Sequence, residues 1–297
     1  MKTSFLEKTI LTLLAIAPLT LPAASLTWDA DPVATGAQDG SGTWDASTAN
    51  WWTGSADTTF NVATPDLAIF GALNGIAGTV TLGAPIISSN IIFNAPGVGN
   101  YIIAGSGGNT LGLTNRTITA NIDATISADI VGGPLTLGNS VANAPSGVLT
   151  LSGNNSYTGG LSMGVNAPNT TSAVRVNSAN AFGTGTLSYN SQGNQTSGRV
   201  EILGGINITN PITYQGRNNP TMGIVAVSGA NILSGTISGA AGGQHYGFQS
   251  EAANGLSLAG GLVMQTSATR DFVLGGSGGG TVNSAISGGT STITVVT

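Results

Sequence analysis

Short runs in which apolar and polar residues alternate recur along most of this chain, and they constrain its fold more than any other feature. Leu135–Leu137, Leu149–Leu151 and Val200–Ile202 are three examples, and glycine or asparagine follows many such runs. A period of two with β-branched residues is typical of a strand that buries one face. The pattern predicts an all-β protein built from many short strands.

The longest alternation runs from Thr117 to Ile130, with isoleucine and alanine at even positions and polar residues at odd positions. Such a run exceeds the usual length of a single strand, which is about 5–6 residues. We therefore expect this segment to turn a corner while one face stays inside. A face of alternating isoleucine and alanine fits a narrow interior.

Two all-β architectures compete. A sandwich needs hairpin turns between matched strands, but Asp39-Gly40, Asn74-Gly75 and Asn254-Gly255 do not separate matched strands. A parallel β-solenoid needs short strands, glycine and asparagine corners, and rows of stacked polar residues. We therefore predict a solenoid with roughly 20–25 residues per rung and on the order of ten rungs.

The composition excludes several classes of protein. Only 6% of residues are charged, 40% are apolar, and cysteine is absent. A helical bundle, a disulfide scaffold and a cysteine-based metal site are therefore excluded, and an apolar fraction this high disfavours disorder. Five arginines against eleven acids after residue 25 cannot form a basic surface, so we expect no nucleic-acid partner.

Residues 1–25 are typical of a secretory signal peptide. Lys2 and Lys8 precede an apolar run over residues 10–17, and small residues follow at 23–25. We predict cleavage after Ser25. The alternative is an N-terminal anchor, which the short apolar run disfavours. No later segment is long and apolar enough to span a membrane, so we expect no transmembrane segment in the mature chain.

The mature chain divides into a head, residues 26–75, and a body, residues 76–297. The head contains six aspartates and no lysine or arginine, whereas five arginines balance five acids in the body. All four tryptophans lie in the head, and they are Trp28, Trp44, Trp51 and Trp52. They favour a cap that closes the end of the solenoid core; the alternative is an exposed patch that stacks on sugar rings.

Residues 147–160, GVLTLSGNNSYTGG, resemble the autotransporter-associated β-strand repeat. The following segment, residues 174–187, is similar to the strand and glycine-rich loop that come next in that family. The resemblance is specific over 147–187 and looser over 28–146 and 188–297. Leu161 stands where the repeat prefers threonine, which is a minor departure at a strand edge.

The resemblance implies a right-handed parallel β-helix in the passenger of a secreted or surface protein from a Gram-negative-type bacterium. Such a protein would act as a stalk or adhesin, with surface glycans or other cell-surface components as partners. The chain stops at Thr297 inside strand-like sequence, with neither an outer-membrane barrel nor a sorting signal. We therefore expect a truncated chain, and a further alternative is that its function belongs to a missing C-terminal part.

Candidate catalytic residues are few. Glu251 and Asp271 are 20 residues apart, about one predicted rung, and Arg270 adjoins Asp271. On neighbouring rungs two carboxylates would lie about 5 Å apart, an arrangement that fits a β-helical polysaccharide lyase or glycoside hydrolase. The more conservative interpretation is that these are solvated outward side chains. It leads us to expect no catalytic residues and a non-enzymatic protein.

Other motifs carry no specific chemistry. His245 is the single histidine, so we expect it to lie on the surface or in a rung-to-rung stack. Gly275–Gly280 lacks the lysine of a phosphate-binding loop. Asp29, Asp31 and Asp39 are too irregularly spaced for a calcium loop, so we expect them in surface turns. We predict neither a cofactor nor a metal.

Overall fold

Every regular element in the described part of the chain is a β-strand. The computed structural model describes residues 23–138, 147–163, 173–189, 198–218, 221–265, 270–288 and 292–295. The predicted signal peptide lies outside these residues, apart from positions 23–25. The described residues contain no helix long and apolar enough to cross a membrane.

The first strands, in chain order, are β1 (Ser25–Trp28), β2 (Gly42–Trp44), β3 (Trp51–Trp52), β4 (Asp57–Thr58), β5 (Leu67–Phe70), β6 (Thr79–Leu82), β7 (Ile86–Ser88), β8 (Ile91–Phe93), β9 (Tyr101–Ala104) and β10 (Thr110–Leu113). The middle strands are β11 (Thr117–Ala120), β12 (Ala124–Ile126), β13 (Asp129–Val131), β14 (Leu135–Gly138), β15 (Val148–Leu151), β16 (Leu161–Met163), β17 (Ala173–Val176), β18 (Leu187–Tyr189), β19 (Arg199–Ile202) and β20 (Asn207–Ile208). The last strands are β21 (Ile212–Gln215), β22 (Ile224–Ala226), β23 (Asn231–Leu233), β24 (Ile237–Ala240), β25 (His245–Ser250), β26 (Leu256–Leu258), β27 (Leu262–Val263), β28 (Asp271–Gly275), β29 (Gly280–Val282), β30 (Ile286–Ser287) and β31 (Thr292–Val295).

Two long sheets run the length of the molecule. The first has 13 strands in the order β30-β27-β24-β21-β18-β16-β14-β11-β8-β5-β1-β3-β4, and the second has 11 strands in the order β2-β6-β9-β12-β15-β17-β19-β22-β25-β28-β31. Shorter sheets, β7-β10-β13 and β20-β23-β26-β29, form a third side over part of the length. Neighbouring strands come from successive turns and pair in parallel, so the predicted parallel β-solenoid is confirmed.

The length of the turns varies: many lie at the upper end of the predicted range or just beyond it, whereas Thr117 pairs with Thr136, only 19 positions later. Leu135 pairs with Leu161, which in turn pairs with Leu187 on the next rung. The Asn154 N–H donates to the Asp129 carboxylate, 25 positions earlier in the chain. The Asn180 side chain donates to the Asn154 side chain, 26 positions earlier. The number of residues in each rung determines which side chains stack on one another.

The long alternation from Thr117 to Ile130 makes two corners rather than one. It forms β11, β12 and the start of β13, with bends between them. Ile118, Ile126 and Ile130 are fully buried, so a single apolar face stays inside through both corners. Burying each such side chain stabilises the fold by about 1.5–3 kcal/mol.

The repeat-like segment ties its own rung to both neighbours. Asn155 Oδ1 accepts the Ile130 N–H at 2.8 Å, and Asn155 Nδ2 donates to the Ala181 carbonyl at 2.8 Å. The buried Tyr157 hydroxyl donates to the same carbonyl at 3.0 Å. Asparagine suits this corner because its amide carries both a donor and an acceptor.

Two glycines of the same segment allow the close approach of adjacent rungs. A Cβ on Gly147 would lie 1.8 Å from the Ile122 carbonyl carbon. Gly160 has φ of +79°, and a Cβ there would lie 2.0 Å from the Thr186 carbonyl oxygen. A larger residue at either position would force the rungs apart, which explains the glycines of this segment in physical terms.

The head contributes strands to both long sheets. β1 pairs in parallel with β5, and β2 pairs in parallel with β6. Among the described strands, only the pairings of β3 with β1 and β4 are antiparallel, and they extend the first sheet beyond β1. The boundary at residue 75 stays a prediction from composition.

Candidate functional site

Five aromatic side chains fill the N-terminal end of the solenoid core, and we call them the aromatic cap. They are Trp28, Trp44, Trp51, Phe60 and Phe70, all of them buried. Trp51 is central, since its ring centroid lies 4.8–5.6 Å from each of the other four. Most of these contacts are edge-to-face or tilted, the geometries that aromatic pairs prefer. Buried rings cannot stack on sugars, so the geometry favours the cap interpretation for three of the four tryptophans.

The strands beside the cap cover the N-terminal edge of the first sheet. β3 pairs antiparallel with β1 through Trp28–Trp51 and Thr27–Trp52, and β4 pairs with β3. An uncovered edge would offer unpaired backbone groups to other chains. Trp52 lies on the outer side and is half-buried, so it is the one head tryptophan with substantial accessible surface.

Asp39 connects three segments of the first rungs. Its Oδ1 accepts the Ala72 N–H at 3.0 Å and the Tyr101 hydroxyl at 2.8 Å. Its Oδ2 accepts the Asn74 N–H at 2.9 Å and the Gly97 N–H at 3.1 Å. Burial, together with the carboxylate that accepts its hydrogen bond, raises the pKa of Tyr101.

Asp29 lies under the loop that follows β1. Its Oδ1 accepts the N–H groups of Asp31 and Gln38, both at 3.0 Å. Burial raises the pKa of the Asp29 carboxyl above its usual value, against the effect of these two hydrogen bonds, and the nearby Asp57 carboxyl raises it further. Two acids in contact repel one another when both are charged.

The prediction that the irregular head acids occupy surface turns was therefore wrong for two of them. Asp29 is 0% exposed and Asp39 is 8% exposed, whereas Asp31 is exposed as expected. The reason is local: several backbone N–H groups converge on each buried carboxylate and replace its water. No spacing in the sequence signals that convergence.

The structure does not bring the candidate catalytic residues together. Asp271 pairs with His245 of the preceding rung, with 3.0 Å between Asp271 Oδ2 and His245 Nδ1. Glu251 lies six residues beyond His245, which corresponds to about 20 Å along a strand. The expected alignment assumed too short a rung, since Asp271 stands opposite His245 and not opposite Glu251.

Each candidate has its own local partners instead. Glu251 accepts hydrogen bonds from Gln249 Nε2 and Ser277 Oγ. Asp271 also accepts Gln244 Nε2 at 2.8 Å, and Arg270 Nη1 donates to the Gly243 carbonyl. His245 thus lies in a rung-to-rung stack, which is one of its two expected positions.

One charged cluster in the structure was not predicted from the sequence. Glu201 is buried between Arg175 of the preceding rung and Arg199 of its own strand. Arg175 Nη2 lies 2.6 Å from Glu201 Oε2, and the two residues are register partners 26 positions apart. The sequence did not reveal the length of this rung. With a rung of 26 residues, the spacing alone would have aligned Arg175 with Glu201.

The surface also carries apolar features. Leu73, Ile76 and Val98 are 74%, 69% and 64% exposed, and Ile76 pairs with Val98 across adjacent rungs. We call these three the apolar ledge. Near the other end, a groove of about 550 Å³ is lined by apolar side chains that include Leu256, Leu258 and Leu274. The exposed side chains of the apolar ledge mark a candidate contact region.

Comparison with known proteins finds similarity to a large adhesin. Over 148 residues, 48% of the chain, it is 36% identical to the adhesin BmaC autotransporter of Brucella suis biovar 1 (strain 1330). The matched stretch is 4% of that adhesin's length. No protein-family model matches the chain, and no solved structure matches it. The chain is thus a β-solenoid similar to a short part of an autotransporter adhesin.

Proposed function

We propose that this chain is the exported, non-enzymatic passenger-type segment of a surface or secreted protein, acting as a stalk and adhesin. The observation that carries the proposal is the continuous parallel solenoid in a chain similar to an autotransporter adhesin. In this proposal residues 147–187 form a repeat of the autotransporter-associated type, and residues 1–25 are removed on export after Ser25. Cell-surface glycans or other surface components are the proposed partners.

The mechanism is geometric. The strands of the second long sheet, stacked at about 4.8 Å per step, give a rod on the order of 50 Å long. Backbone hydrogen bonds between rungs and an apolar interior stabilise it, so the outer surface needs few charges. Such a rod holds the head and the apolar ledge at a fixed position, where Leu73, Ile76 and Val98 offer a contact surface.

The first strand spans the proposed cleavage site, since Ser25 pairs with Leu67. β1 begins at Ser25, and its buried residues are Leu26 and Trp28. Cleavage after Ser25 would leave both in the mature chain. The interior of the first rung is therefore retained after processing.

The alternative function, a polysaccharide-cleaving enzyme, required paired acids beside Arg270. Glu251 lies just past the end of β25, six residues beyond His245, the partner of Asp271, which corresponds to about 20 Å along an extended chain. Acid–base cleavage of a glycosidic bond needs carboxylates about 5–9.5 Å apart. The separation supports the non-enzymatic proposal.

Incubation of the purified chain with acidic polysaccharides separates these functions. We expect no release of reducing ends or unsaturated products. The matched comparison is Asp271→Asn, which should behave as the wild-type chain does. Product release by the wild-type chain that Asp271→Asn abolishes would establish the enzyme and end the stalk proposal.

A further inference from the structure

Two arginines on the outer face of the second long sheet share one buried carboxylate. We call Arg175, Arg199 and Glu201 the arginine cluster. Glu201 alternates with the core residues Val200 and Ile202 and therefore stands on the outer side of β19. It is nevertheless only 1% exposed, whereas the side chains of the two arginines are 39% and 41% exposed. The carboxylate is thus covered, and both guanidinium groups reach solvent.

Glu201 holds each guanidinium group by the same edge. Arg175 Nε donates to Glu201 Oε2 at 2.7 Å, and Arg199 Nε donates to Oε1 at 2.7 Å. The Nη2 atoms of the two arginines approach the same two oxygens. A guanidinium group carries five N–H donors in a rigid fork, so the Nη1 edge stays free. Neither Nη1 atom donates to an acceptor in the described part of the chain, and both are fixed in orientation.

The arginine cluster carries an excess of one positive charge, because two guanidinium groups face a single carboxylate. Its neighbours do not offset this charge. β15 and β22 flank β17 and β19 in the second sheet, and neither strand contains a charged residue. Charges more than about 8–10 Å away are largely screened at physiological salt. The cluster is therefore a local positive site on a chain whose net charge is negative.

A purely structural ion pair would need only one of the two arginines. A single guanidinium group can already bind a carboxylate through two parallel hydrogen bonds. Arg175 is the register partner of Glu201, and Arg199 approaches the same carboxylate from its own strand. The second arginine leaves positive charge uncompensated at the surface. Oriented, uncompensated and accessible positive charge is what a binding site for an anion requires.

We propose that Arg175 and Arg199 together bind an anionic group of an acidic glycan, either a carboxylate or a sulfate ester. The planar fork of arginine matches the oxygen geometry of such groups. Thr150 is the register partner of Arg175 on the preceding rung, where its half-buried side chain offers a polar contact to the same sugar. This inference rests on the proposed adhesin function, because it names the chemical class of the glycan partner.

The test measures equilibrium binding of the purified full chain to immobilised polysaccharides. Dextran sulfate and dextran share one backbone and differ in the sulfate groups, and polygalacturonate supplies carboxylates without sulfate. We expect binding to one or both of the acidic polymers and no binding to dextran. The affinity should fall as NaCl is raised, because salt screens the attraction between charges. The two acidic polymers identify which anion the cluster binds.

Arg199→Gln should weaken this binding by about fivefold or more, because the remaining arginine is then neutralised by Glu201. Arg175→Gln should have the same effect. Arg116→Gln is the matched control, since Arg116 is exposed and the substitution removes the same charge from another rung. We expect its affinity to stay within about twofold of the wild-type value. If Arg199→Gln does not fold, Arg199→Lys keeps a positive charge beside Glu201 but lacks the second N–H edge, and should weaken binding by about threefold.

Several results would overturn the anionic site. They are equal binding to dextran sulfate and dextran, absence of binding to all three polymers, and unchanged binding by folded Arg175→Gln and Arg199→Gln variants. An equal loss for Arg116→Gln would overturn it as well, since net charge alone would then explain the binding. Such failures concern this site alone if deletion of the whole chain still reduces bacterial adherence. Failure of the adhesin function would instead appear as unchanged adherence after that deletion.

Discussion

Replacing Trp51 by alanine is expected to lower the free energy of unfolding by about 3–5 kcal/mol, the usual cost of deleting a large buried aromatic side chain. Trp51 is 0% exposed and contacts four other rings of the aromatic cap. Its removal leaves a cavity at the end of the core that small shifts of the remaining rings cannot fill. Denaturant unfolding followed by circular dichroism measures the change.

The neighbouring Trp52 provides the matched control, since it has the same side chain on the same strand but is half-buried. We expect Trp52→Ala to cost less than half as much. Trp51→Phe should recover most of the loss, because the Trp51 indole N–H makes no hydrogen bond within the described residues. Equal costs for Trp51→Ala and Trp52→Ala would show that the cap is not the packed end of the core.

Asp39→Ala is expected to destabilise the chain by about 3–5 kcal/mol, as when one partner of a buried charged network is removed. The substitution leaves the N–H groups of Ala72, Asn74 and Gly97 and the hydroxyl of Tyr101 without their acceptor. These donors belong to the second and third rungs, so the loss loosens the connection between the head and the body. Hydrogen exchange at the Ala72, Asn74 and Gly97 amides locates the effect.

Asp31→Ala is the control for Asp39→Ala. Asp31 is exposed, and its carboxylate accepts the Val33 N–H at 3.2 Å. We expect a cost below about 1 kcal/mol, as for other exposed turn residues. If both alanine variants unfold at the same denaturant concentration, Asp39 does not hold these rungs together.

The fold could be predicted because one physical pattern repeats along the chain. In the segment from Thr117 to Ile130 every second side chain is apolar, and burial of that face determines which side of each strand is inside. Glycine and asparagine mark the corners, as Gly147 and Asn155 show by their contacts with adjacent rungs. Because the runs are short, they favour parallel strands stacked on successive rungs over the long antiparallel strands of a sandwich.

The number of residues in each rung was harder to predict from the sequence. This number determines which charged side chains stack on one another. The observed rungs pair Asp271 with His245 and Glu201 with Arg175, whereas the shorter rung assumed from the sequence would pair Asp271 with Glu251. Corner loops take up extra residues without disturbing the strands. The alternation pattern therefore determines faces but not the length of each turn.

The buried acids of the head could not be predicted from their spacing. Asp39 is buried because backbone N–H groups from distant loops converge on it, at positions 72, 74 and 97. The Asp29–Asp57 contact likewise depends on the antiparallel register of β3 and β4. Both are consequences of tertiary structure, and neither has a periodic signature in the sequence.

Adherence of the bacterium that carries this chain tests the stalk and adhesin function most directly. We expect deletion of residues 26–297 to reduce adherence to glycan-bearing cell surfaces several-fold. Complementation with the wild-type chain and with the Glu251→Gln/Asp271→Asn double variant should restore it equally, because neither carboxylate is required for a non-enzymatic function. Unchanged adherence after the deletion, or a double variant that fails to restore it while folding normally, would contradict the proposal.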